Sequence, residues 1–290
     1  MEITEGRVHA GELEFGFLEI GSGPLALCLH GFPDSAWGWR HLLPRLADAG
    51  FRAVAPFMRG YAPTEVPADG LYQTGALASD ACALHEALGG DGDAVLIGHD
   101  WGAVATYGAA SLNPGRWRRV IAAAVPPAGA MGQGFLDYDQ LRRSWYMFFF
   151  QHPLADIVVP MDDLAFIDRL WADWSPGYDA TDDVPHVKDA LRDPANLAAA
   201  LGYYRATLGD GPKHERYEIA QQATQAAPPQ PTLYLHGLID GCIGAELASG
   251  AESSLTAPGS RVVMVEGAGH FLHLEQPEIV NPIIVDFARG

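Results

Sequence analysis

Along this chain of 290 residues the apolar positions fall into distinct rhythms. Residues 12–20 alternate, with Leu13, Phe15 and Phe17 on one side, as a strand with one covered face does. Continuous apolar runs then recur at residues 25–29, 51–56, 94–97, 120–125, 231–236 and 261–266, the pattern of strands buried on both faces of a parallel sheet. Between them the spacing turns helical. Residues 37–49 carry Leu42, Leu43 and Leu46 inward, and residues 75–88 carry Leu77, Ala81, Leu84 and Leu88. Further helices are expected from about residue 244 and over residues 277–288. Strand–helix alternation predicts an α/β fold with a mostly parallel, doubly wound sheet and right-handed crossovers. The strand ends at His30, Asp100 and Val125 should share one edge, where open α/β sheets place ligands.

The alternation breaks at Pro126-Pro127. Residues 130–225 offer no strand, only helical segments rich in aromatics, including Trp145, Tyr146, Phe149, Tyr203 and Tyr204. Ala226-Ala227-Pro228-Pro229 closes the section and the α/β pattern resumes. The expected organisation is therefore a core in two parts, residues 1–129 and 226–290, with a helical cap inserted between them.

Composition narrows the function classes. With 48% hydrophobic and 19% charged residues the chain is an ordinary globular protein. A net charge of −18 argues against nucleic acid and anionic membranes as partners. The polar start is no secretory signal, and no run approaches the roughly 20 apolar residues of a membrane span. Cys28, Cys82 and Cys242 suggest neither a disulfide framework nor a metal site. Reduced thiols in a cytoplasmic protein are expected, without metal or other cofactor; a homodimer is compatible with all of this.

The chemistry centres on Gly98-His99-Asp100-Trp101-Gly102, set between a buried strand and a helix rich in small residues. Small–x–nucleophile–x–small is the nucleophile elbow of α/β-hydrolases, where the central residue is usually Ser. Serine attacking an sp³ carbon would leave an ether. Aspartate leaves an ester, which activated water can hydrolyse. Asp240 and His270 follow, each after a predicted strand, completing the order nucleophile–acid–histidine. Alone, Asp240 would read as a turn residue and His270 as structural; together with the elbow they form a triad. In it His270 is the general base and Asp240 its orienting acid. The backbone N–H groups of Trp101 and Phe32 fit an oxyanion hole, and Pro33 suggests a cis or sharply constrained Phe32–Pro33 peptide. His30 and His99 read as structural, and His273 has no assigned role.

His30-Gly31-Phe32-Pro33, the elbow, the Asp240 turn and Gly269-His270 together resemble the epoxide hydrolases of the α/β-hydrolase superfamily. That resemblance implies two cap tyrosines on the epoxide oxygen, matching Tyr146 and Tyr204, with Tyr203 competing for the second place. Fluoroacetate dehalogenases carry arginines where Trp101 and Val104 stand here. Many haloalkane dehalogenases have Asn in place of Phe32. The implied substrate is a small apolar epoxide, reacting with water to give a vicinal diol. The alternatives are a dehalogenase for neutral haloalkanes and a non-catalytic binding homologue. Trp37, Trp101, Trp145, Phe149 and Trp171 are candidate pocket walls by position.

Overall fold

The structure, a computed structural model, describes residues 2–290. Eight strands form one sheet: β1 (Thr4–Ala10), β2 (Leu13–Gly21), β3 (Leu25–Leu29), β4 (Arg52–Pro56), β5 (Val95–His99), β6 (Arg119–Ala123), β7 (Thr232–Gly237) and β8 (Arg261–Val265), in the order β1-β2-β4-β3-β5-β6-β7-β8. The β1–β2 and β2–β4 pairings are antiparallel and the rest are parallel. The apolar runs explain the central strands, since every residue of β3, β5 and β7 is buried.

Strand β1 adds to the sequence reading, whose first expected strand begins at residue 12. Its only branched apolar residue is Val8, and most of its side chains face solvent. Backbone pairing with the well-patterned β2 holds it, so its own sequence carries little signal.

Helix α1 (Leu42–Asp48) is shorter than the helix expected over residues 37–49, because Ser35 first caps a separate 3-10 turn at Ala36–Trp39. Leu42, Leu43 and Leu46 are buried as expected. Helices α2 (Thr74–Ala87) and α3 (Trp101–Leu112) pack on each other, while α1 packs with the C-terminal helix Pro277–Arg289. Between β6 and β7 the chain runs only through helices, from Ala128–Gly134 to Glu218–Ala223. The last of these packs on α2 and α3, within the helix layer of the sheet. Among the described residues, no helix is long and apolar enough to cross a membrane.

Candidate active site

Asp100 sits in the turn between β5 and α3 with φ 52° and ψ −120°. An L-residue there is strained by about 1–3 kcal/mol, a cost met by the packing around it. The glycines on either side make that packing feasible. A Cβ on Gly102 would fall inside van der Waals contact of the Leu29 carbonyl oxygen, and one on Gly98 would strike the Gly102 carbonyl. A Cβ on Gly31 would strike the Asp100 carboxylate itself. Side-chain-free backbone on three sides thus presses the carboxylate into the loop after β3. There Phe32 N–H donates to Asp100 Oδ1 at 2.7 Å, across a cis Phe32–Pro33 peptide. Trp101 heads α3, where its N–H has no carbonyl partner within the helix and the helix dipole favours negative charge.

The triad residues meet. His270 Nδ1 lies 2.9 Å from Asp240 Oδ2, and His270 Nε2 lies 3.7 Å from Asp100 Oδ2. Asp240 Oδ1 accepts from the N–H groups of Cys242 at 2.7 Å and Ile243 at 2.9 Å. Burial works against the Asp240 charge, but the imidazole charge and these bonds outweigh it and hold its pKa below the usual range. Burial likewise works against the charge on His270, yet Asp240 and Asp100 lift its pKa to about 10. The two carboxylates thus favour the imidazolium form of His270. It is not the neutral imidazole that a general base in the free protein would be.

The remaining histidines have structural partners. Met58 N–H donates to His30 Nε2, so Nδ1 carries the proton and donates to the Gly31 carbonyl. Burial keeps His30 neutral, with its pKa lowered to about 4. His99 Nε2 contacts the His270 carbonyl at 2.9 Å and so braces the catalytic loop. His273 is buried, stacked on Trp39 at 4.5 Å and tilted against His99 at 4.8 Å.

Two tyrosines reach the site from the helical section. Tyr204 is 1% exposed; its hydroxyl oxygen faces the Trp101 indole N–H, and its O–H has no acceptor. The Tyr146 hydroxyl is 3.2 Å from Cys242 Sγ. Burial raises both phenols well above their ordinary pKa, so both stay protonated and able to donate. Tyr203 is otherwise engaged. Its hydroxyl donates to the Arg59 carbonyl at 2.8 Å, which separates the two tyrosines that the sequence left competing.

The proposed walls fare differently. Asp100, Trp101, Tyr146 and Tyr204 line one cavity of about 310 Å³, whereas Trp37, Trp145, Phe149 and Trp171 do not. The helix Trp145–Phe149 turns Tyr146 inward, with Phe150 one turn on. Trp145 and Phe149 occupy the neighbouring stripe and pack on Phe166. Trp145 is 45% exposed and borders a surface groove beside Arg142. Trp37, carried outward by the 3-10 turn, stacks on His186. Trp171 stacks on Phe271, and its indole N–H donates to the Pro33 carbonyl, so it braces the Phe32 loop. The cavity is walled instead by Val104, Val125, Met131, Phe135 and Met147. Of these, only Val104 had a readable signal, because it lies one helical turn after Asp100 and shares its face.

Residues 24–277 match the model of a family described as the alpha/beta hydrolase fold. The AB hydrolase superfamily protein YfhM of Bacillus subtilis is 29% identical, over 92% of this chain and 91% of its own. Epoxide hydrolase A of Mycobacterium tuberculosis is 28% identical, over 99% and 98%. The crystal structure of epoxide hydrolase A from Mycobacterium thermoresistibile superposes with a TM-score of 0.81 at 26% identity, covering 100% of this chain and 99% of that one.

Proposed function

The chain belongs to the α/β-hydrolase fold family, and from that premise we propose that it hydrolyses an epoxide to a vicinal diol through an ester on Asp100. The observation that carries this reading is the Tyr204 O–H, which has no acceptor and is buried in the same cavity as the Asp100 carboxylate. A buried, unpaired phenol is costly unless a ligand acceptor satisfies it. An epoxide oxygen does so while a ring carbon meets the nucleophile. The names of the relatives and of the superposed structure point the same way.

Asp100 Oδ1 already accepts from Phe32 N–H, so Oδ2 is the free nucleophile. Oδ2 attacks a ring carbon, the carbon–oxygen bond of the ring breaks, and the oxygen takes a proton from Tyr204, with Tyr146 as the second donor. Esterification removes the Asp100 charge and, with it, part of what holds the proton on His270. That proton returns to the tyrosinate and leaves a neutral imidazole. His270, oriented by Asp240, then takes a proton from water as the water attacks the ester carbonyl. The developing charge on Oδ1 falls to the N–H groups of Phe32 and Trp101. The Cγ–Oδ2 bond breaks, the leaving oxygen takes the second proton of the attacking water, the diol departs, and Asp100 keeps the water oxygen. In this reading the helical section serves as the cap, supplying both phenols. The three buried, unpaired cysteines support a cytoplasmic setting.

A single turnover in ¹⁸O-water tests the ester. The first diol should be unlabelled and the Asp100 peptide should gain one label; a labelled first diol with unlabelled Asp100 would overturn the mechanism. A neutral haloalkane is the second reading: the indole N–H of Trp101, which faces the Tyr204 hydroxyl, could also serve a departing halide, so it does not separate the two. Halide release on incubation decides for it.

A further inference from the structure

We propose, resting on the epoxide reading, that the site accepts uncharged epoxides substituted on one ring carbon and excludes those carrying large groups on both. The reason is that the cavity beside Asp100 is lined by aliphatic and exposed residues but not by the aromatic cluster behind the two tyrosines. Val104, Val125 and Met131 line this open arm, and its lining residues Gly132, Thr207, Leu208 and Gln225 are exposed at the mouth. Behind the tyrosines the space is filled. Phe150, fully buried, packs edge-on against Tyr204 at 5.1 Å, Tyr146 at 5.6 Å and Phe32 at 5.6 Å between ring centroids. Trp174 closes the flank, with its ring 4.8 Å from Tyr146 and 5.0 Å from His270.

An epoxide oxygen held by Tyr204 puts one ring carbon towards the open arm and the other towards this aromatic wall. A hydrogen fits at the wall; a ring-sized group does not, because a close-packed interior yields little. The arm also restricts the single substituent. Among the described residues that line it, Asp100 is the only charged one. Its polar groups near the mouth are neutral and tied to one another. Gln221 donates to Thr74 Oγ1 at 2.6 Å, and Thr74 and Thr224 share a bond of 3.3 Å. An apolar substituent, with or without a neutral polar tail, matches that lining.

The test compares kcat/KM for styrene oxide and trans-stilbene oxide, which differ by a phenyl group on the second ring carbon. Wild type should favour styrene oxide by about 10-fold or more, in the range set by steric exclusion from apolar pockets. Phe150→Ala, which vacates a phenyl-sized space at the wall, should shrink that ratio. Truncating a buried ring lowers stability, so Met131→Trp in the open arm gives an independent arm of the test and should sharply reduce styrene oxide turnover. Similar kcat/KM for the two epoxides in wild type would overturn the inference alone. Failure of wild type to hydrolyse either one, or any other epoxide, would overturn the underlying reading and the inference with it.

Discussion

The sheet edge and the helical section above it build their halves of the site by different means. At the edge, backbone does the positioning. Asp100 is aimed by a strained turn between two glycines, and Asp240 and His270 follow the ends of β7 and β8. In the helical section, side-chain packing does it. Tyr146 and Tyr204 are held by rings, 5.6 Å apart between centroids, with Phe150 wedged against both. A backbone-built site tolerates no extra atom but little depends on which apolar residues lie further out. A packing-built site can be reshaped by a single ring.

Substitutions can break that contrast in order of expected effect. Asp100→Ala should lower epoxide turnover by about 10⁴-fold or more, as loss of a covalent nucleophile does, with circular dichroism unchanged. Tyr204→Phe should cost about 10²-fold in kcat, while Tyr203→Phe should leave kcat within a factor of about two. Equal losses would mean that the helical section does not discriminate between adjacent phenols as its hydrogen bonds say it does. Gly102→Ala should destabilise the fold by about 3 kcal/mol in urea titration, since the added methyl meets the carbonyl of a central strand. The last effect is electrostatic. His270 holds its proton up to about pH 10 in the folded protein but only to its ordinary value of 6.5 when unfolded. The stability it lends is therefore full below 6.5, declines as pH rises, and is lost through 10. The melting-temperature gap between wild type and His270→Gln should narrow from pH 6 to pH 10; a constant gap would mean that the two carboxylates do not share that proton.

The same contrast decided what could be read from sequence. The elbow, the triad order and the Phe32 loop were legible because tight turns demand particular residues: glycine where carbonyls crowd, proline where a loop is bent. The α/β alternation was legible because burial on both faces leaves no polar position in β3 and none in β5 before His99. The walls were not. Trp145 and Tyr146 are adjacent and both aromatic, and only the rotational phase of a five-residue helix sends one to solvent and the other to the cavity. A helix that short has too few turns for periodicity to declare its phase. Nor could sequence reveal that Tyr203 would be tied to the Arg59 carbonyl, because that partner lies 144 positions away. The charge state of His270 was hidden for a related reason: it depends on two carboxylates brought in from other strand ends.

The bond from Phe32 N–H to Asp100 Oδ1 makes the two carboxylate oxygens inequivalent before any substrate arrives. Over repeated cycles that inequivalence becomes a memory. Under the proposed ester mechanism, each diol would carry away the oxygen acquired from water in the preceding turnover, while the oxygen clasped by Phe32 would stay for as long as the carboxylate does not turn. The active site is thus a queue one atom long. The speed with which label scrambles between its two places would clock how often the Asp100 carboxylate turns over in its socket.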